Sequence, residues 1–180
     1  MSESSWVVVK RDIEVITVPY GATMPLSSGS LVHVTQAIGG SYTVTTDMGL
    51  MCRVDAKDAD AIGIMNVAPE APVDPNAPYD EKKVWEQLRT VYDPEIPVNI
   101  VDLGLIYEMK SLPLPDGGQK LQIKMTMTAP GCGMGDVLKA DVERKTSAVP
   151  GVKQVQVDIV FEPQWSLDKM SEAARLQVGL

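Results

Sequence analysis

The stretch Met127-Thr128-Ala129-Pro130-Gly131-Cys132-Gly133-Met134-Gly135-Asp136 holds the side chain of this chain best suited to chemistry, the thiol of Cys132. An alternating, strand-like run ends there, a Pro-Gly turn follows, and the cysteine sits among glycines just before a segment of helical pattern. A sulfur at a helix N-terminus faces unpaired backbone N–H groups and the positive end of the macrodipole, and both favour thiolate over thiol. Gly131, Gly133 and Gly135 remove the side chains that would crowd it, so a metal ion, a cluster or a partner's sulfur has room to approach. The same residues also suit a plain strand-to-helix turn with an incidental small side chain, and the local pattern leaves both readings open.

A second group of candidates is acidic. Asp93, Glu95 and Asp102 crowd one irregular loop, Tyr92 to Tyr107, in which Pro94 and Pro97 forbid helix and ladder alike. Taken singly, each also fits turn chemistry, in which Asp beside Pro accepts backbone N–H bonds. Cys52 lies in a β-like run between Leu50 and Val54 and reads as a small buried hydrophobe. His33, the only histidine, has no second imidazole to share a metal and reads as a structural or surface residue. No phosphate-binding G-x-x-x-x-G-K-[ST] occurs, and no Cys-x-x-Cys or paired Cys/His spacing that would suit zinc.

The chain has 180 residues, of which 44% are hydrophobic, enough for one large core or two small ones. Its formal net charge of -8 and the lack of any basic run argue against binding nucleic acid, which depends on Lys and Arg at the phosphates. No window approaches the roughly 18 apolar residues of a membrane span. The start of the chain, MSESSWVVVKRD, lacks a signal-peptide pattern, so a cytoplasmic location is expected. Two cysteines far apart in the chain do not make a disulfide framework.

The elements that must position these groups fall into three segments. Residues 1–65 read as an all-β module, with strands at Trp6–Val9, Ile13–Val18, Leu31–Val34, Ser41–Thr46 and Leu50–Val54 separated by Gly-rich turns, which suggests a small barrel or rolled sheet. Residues 66–79 carry Pro69, Pro72, Pro75 and Pro78 at the three-residue period of polyproline II and read as a semi-rigid linker. From Asp80, a helix with Val84, Trp85, Leu88 and Val91 on one face is capped by Asp80 and stopped by Asp93-Pro94. Strands over 106–110 and 120–128 follow, the second with Leu121, Ile123, Met125 and Met127 inward and Thr126 and Thr128 opposite. A helix after Cys132 stacks Met134, Leu138 and Val142 and ends at Val149-Pro150-Gly151. Val155, Val157, Ile159 and Phe161 form a strand, and Pro163-Gln164-Trp165 opens a last helix that packs Leu167, Met170, Ala174 and Leu176. The expected fold class is α+β, with a barrel-like N-terminal domain followed by an αββαβα sandwich over 80–180.

With these residues in place, a family resemblance emerges. DPEIPVNIVDLGLIY, TMTAPGCGMGDVL and the closing W-x4-MSEAARL resemble the small iron–sulfur assembly domain shared by SufT-type and PaaD-like proteins. GSLVHVTQAIGGSYTVTTDMGLMCRV and DADAIG resemble the β-rich extension that SufT-type proteins carry ahead of it. The resemblance implies an auxiliary iron–sulfur maturation factor or carrier and not an enzyme. It places the family's motif cysteine on Cys132, its threonine on Thr128 and its acidic loop on Asp93, Glu95 and Asp102, with Gly131 and Gly133 framing the sulfur. One departure is that Gly133 stands where family members often have Pro after this cysteine.

An iron–sulfur cluster normally takes four thiolates, which one such chain cannot supply. Either a homodimer pairs two Cys132 sulfurs across a cluster, or capture is transient, and weak ligation suits a carrier that must release its cargo. Apo iron–sulfur proteins and other assembly proteins are the partners this implies. Two further hypotheses stand beside it. A thiol enzyme would need a base beside Cys132, and the only imidazole is His33 in the other module. An adaptor would dock client apo-proteins without binding a cluster.

Overall fold

The computed structural model describes residues 6–65, 77–131 and 133–180. The chain divides into two compact units, Met1–Glu70 and Ala71–Leu180. Most of the expected linker, and Cys132 itself, lie outside the described residues.

In the first unit, β2 buries alternate side chains as a period of two requires, whereas β5 and β6 each bury three consecutive residues. Strands β1 (Trp6–Val8), β2 (Ile13–Thr17), β3 (Thr23–Leu26), β4 (Leu31–Ile38), β5 (Ser41–Thr46) and β6 (Met51–Asp55) form one sheet in the order β1-β4-β5-β6-β2-β3. All neighbours are antiparallel, and β1 and β3 are its two edges. Val15, Val32, Val44, Cys52 and Val54 make the core together with Ile62 from the 3-10 helix Ala56–Ile62. Two features differ from the sequence expectation. Strand β3 lies outside the expected strands, because Pro25 breaks its pattern, and proline is tolerated there because β3 is an edge. Strand β4 runs on to Ile38 past a register shift between Val34 and Gln36, where alternation stops and a pattern reading ends.

In the second unit the described elements follow the order expected: α1 (Glu81–Leu88), β7 (Ile106–Pro113), β8 (Gln119–Met125), α2 (Gly135–Ser147), β9 (Val152–Ile159) and α3 (Glu172–Gln177). The Asp80 carboxylate accepts the Lys82 N–H at 2.9 Å and caps α1. Central strand β8 pairs antiparallel with β7 and parallel with β9. Its Leu121, Ile123 and Met125 are fully buried, as are Val84 and Leu88 of α1 and Leu138 and Val142 of α2. The C-terminal helix is shorter than the pattern suggested: residues 167–169 form a 3-10 turn, and α3 starts only after Ser171, whose hydroxyl accepts the Ala174 N–H. Met170 and Ala174 pack inward, but Leu167, Leu176 and Phe161 are exposed.

The residues before α3 act instead as a strap over the loop that leads into β7. Trp165 Nε1 donates to the Leu103 carbonyl at 2.8 Å, and Ser171 N donates to that of Asp102 at 2.8 Å. The Tyr107 hydroxyl donates to the Pro163 carbonyl at 2.7 Å. The strap reaches the loop because Gly104, at φ +71°, has no Cβ; one built there would overlap the Lys169 carbonyl. Gly104→Ala is therefore expected to destabilise the protein by at least about 2 kcal/mol through backbone strain and overpacking. Urea unfolding checks it, and an unchanged midpoint would contradict the close approach.

Candidate functional site

The turn between β8 and α2 is fixed at both ends by buried methionines. Met127 is 3% exposed and Met134 is fully buried, while Ala129, Pro130, Gly131 and Gly133 between them are exposed and Thr128 is half-buried. Gly131 adopts φ +81°, the left-handed region that the turn after Pro130 needs, and among the described residues no atom beyond its chain neighbours lies within 4 Å of where its Cβ would stand. Helix α2 begins at Gly135 with Met134 as its N-cap, so position 132 precedes the cap by two residues. Gly135 lets the helix start sit against β9 and the end of β8: a Cβ there would lie 3.3 Å from Ile159 Cδ1 and 4.0 Å from the Met127 thioether sulfur. The acidic Asp136 in the first turn and Arg144 and Lys145 in the last suit the helix dipole.

The acidic loop is organised by its own backbone. Asp93 is 3% exposed, and its Oδ1 accepts the N–H groups of Glu95 at 2.8 Å and Ile96 at 3.0 Å, a local turn that fixes the two prolines' path. Burial pushes the Asp93 carboxyl above the usual range, and those two N–H bonds oppose the push. Asp102 accepts a 2.6 Å bond from the Asn99 side-chain amide, whose own oxygen accepts the N–H groups of Val101 and Asp102. Glu95 is exposed, and among the described residues its side chain has no hydrogen-bond or ion-pair partner. The three carboxylates thus divide into two that hold the loop and one that faces solvent.

The loop and the turn meet through backbone: Thr126 N donates to the Leu105 carbonyl at 2.8 Å. No hydrogen bond or ion pair among the described residues joins Asp93, Glu95 or Asp102 to Thr128, Gly131 or Gly133, and no three His, Cys, Asp or Glu residues among them form a metal-holding group. Thr126 is the feature a pattern reading misses. It shares a face with half-buried Thr128, yet it is 1% exposed and its Oγ1 has no partner among the described residues. In the first unit Cys52 is fully buried, and burial pushes its thiol up, away from the thiolate. His33 stacks at a tilt against Trp6, ring centroids 6.0 Å apart.

A family model described as iron–sulfur cluster assembly protein matches residues 81–159, within the second unit. An Fe-S protein maturation auxiliary factor of Porphyromonas gingivalis is 48% identical over 101 residues, covering 55% of this chain and 90% of that protein. The Fe-S protein maturation auxiliary factor SufT of Staphylococcus aureus is 34% identical over 90 residues, covering 50% of this chain and 98% of that protein. An iron-sulfur cluster carrier protein of Deinococcus radiodurans is 37% identical over 71 residues, covering 39% of this chain and 19% of that protein. No helix among the described residues is long and apolar enough to cross a membrane.

The Asp93 geometry yields a pH-dependent expectation. The unfolded carboxyl titrates near pH 3.9, and the folded one titrates higher. Between those values the folded state binds more protons, so this residue's contribution to stability falls as pH rises through the window. Asp93→Asn keeps an oxygen for the Glu95 and Ile96 N–H groups and removes the buried charge, so it should match or exceed the wild type at pH 7 and lack that fall. Asp93→Ala leaves two N–H groups without their acceptor and should cost about 1–3 kcal/mol. Chemical denaturation of the three proteins from pH 4 to 8 checks the order, and an Asn variant as damaged as the Ala variant would contradict it.

Proposed function

Because the chain belongs to the iron–sulfur cluster assembly family, with SufT-type Fe–S maturation auxiliary factors among its relatives, we propose that it carries clusters to apo-proteins with Cys132 as the ligand or exchange sulfur. The observation that carries the assignment to Cys132 is the contrast between the two cysteines. Cys52 is sealed in a β-sheet core with its thiol held protonated, whereas the immediate neighbours of position 132 are exposed glycines. One available thiol per chain is fewer than a cluster's four ligands, which suits cargo held briefly, or bridged between two chains, and then surrendered. A non-enzymatic role follows, with apo iron–sulfur proteins and other assembly proteins as partners.

The other site residues take supporting parts in this reading. Gly131 sets the turn, Gly133 adds no side chain next to Cys132 in the sequence, and half-buried Thr128 stands at the start of the turn. Asp93 and Asp102 hold the neighbouring loop in shape, which leaves Glu95 as the carboxylate free to meet iron or a client. The N-terminal module 1–65 and the connector 66–79 are accessory to the assembly domain 80–180.

Two measurements test the assignment. A thiol reagent on the native protein should modify one fast thiol, lost in Cys132→Ser, with the second reacting only after unfolding; a fast Cys52 would contradict the burial argument. Anaerobic reconstitution with iron and sulfide, followed by delivery to an apo-acceptor, should lose at least about tenfold in transfer on Cys132→Ala, on the order of 1.4 kcal/mol of effective barrier. Full visible absorbance and full client activation in that variant would overturn the cargo role and leave a docking adaptor.

A further inference from the structure

The loop that carries Asp93, Glu95 and Asp102 is gripped from outside by the C-terminal segment of the same unit. Trp165 Nε1 donates to the Leu103 carbonyl at 2.8 Å and Ser171 N to that of Asp102 at 2.8 Å, both at the base of the loop. A third donor reaches the tip: Gln177 Nε2 bonds the Pro97 carbonyl at 2.7 Å, across 80 positions of sequence. Gln177 stands on a fixed base. Met170 and Ala174 are buried, the Ser171 hydroxyl caps α3, and Arg175 Nη2 donates to the Asp168 carbonyl at 2.9 Å, which ties the helix to the strap.

The tip itself has few bonds to offer. Pro94 and Pro97 have no N–H, and the N–H groups of Glu95 and Ile96 are both taken by the Asp93 carboxylate. Val98 N turns back to the Ile96 carbonyl at 2.6 Å and Asp93 N to the Val98 carbonyl at 3.2 Å, so these bonds close the loop on itself. Among the described residues, the Gln177 bond is the one that ties residues 94–97 to another element. Glu95, exposed and without a partner of its own, stands wherever that backbone puts it.

We propose that Gln177 is a positioning residue for Glu95: its amide tethers the tip so that this carboxylate is held in one place during cluster transfer. The inference rests on the reading of Glu95 given above, and it gives the C-terminal segment a part in transfer besides its part in the fold. An exposed hydrogen bond adds little to global stability but orders the segment it tethers. A carboxylate on an untethered tip samples many placements, and each encounter then finds the productive one less often.

Amide exchange of the full chain, free of iron, tests the tether. Gln177→Met keeps the reach of the side chain and removes its donor. Exchange at the Glu95 and Ile96 amides should quicken several-fold in that variant, while the Leu121 and Ile123 amides of β8 and the unfolding midpoint stay as in the wild type. Unchanged exchange at the tip would overturn the proposal whatever the cargo. Transfer tests the purpose. Loaded anaerobically with iron and sulfide and offered an apo-acceptor at low concentration, Gln177→Met should transfer at least about threefold more slowly. Glu95→Gln should lose as much or more, and the double variant should be no slower than Glu95→Gln, because the placement of a carboxylate that is gone has no effect. Losses that multiply in the double variant, or a Glu95→Gln variant that transfers as the wild type does, would overturn the action of Gln177 through Glu95. Full transfer by Cys132→Ala would instead strike the cargo reading, and the exchange result would then decide the tether by itself.

Discussion

The second unit depends on two buried methionines at the ends of one turn. Met127 ends the inward series of β8 and Met134 begins that of α2, so the chain must leave the core and re-enter it within the residues between them. Such a short excursion has no room for a stem, which is why Pro130 and Gly131 make the turn and why its exposed positions are small. Removing Cβ at Gly135 completes the arrangement, letting the helix start close on Ile159 and Met127. The result is a turn held by buried residues at both ends, with positions 129–131 and 133 exposed between them.

Around that frame, charge is used sparingly. Asp93 and Asp102 are satisfied locally, so the loop next to the turn keeps its shape without drawing on the turn's own groups. The C-terminal strap fixes the same loop from the other side through Leu103, Asp102 and Tyr107. The loop is thus braced from two sides, by its own carboxylates and by the strap.

Much of the second unit was legible because its periodicities are strong. Alternation in β8, the three- and four-residue spacing in α1 and α2, and Asp80 ahead of α1 all gave their elements correctly. The failures have local causes. Trp165 resembles the opening of a helix but is used as a hydrogen-bonding strap, which leaves Leu167 and Leu176 outside. Pro25 hid an edge strand, and the register shift in β4 hid half of a long one. The expected small barrel or rolled sheet corresponds, among the described residues, to one six-stranded sheet with β1 and β3 as its edges. In the candidate site, a period-two reading put Thr126 beside Thr128 without showing that it is buried, because burial on that face comes from residues distant in sequence.

The proposal that Cys132 receives the cargo is tested most directly by peptide mapping of Cys132 after alkylation, with and without anaerobic loading of iron and sulfide. The account predicts rapid labelling of Cys132 in the unloaded chain and strong protection once the chain is loaded. Bound iron with Cys132 labelled at its unloaded rate would contradict it.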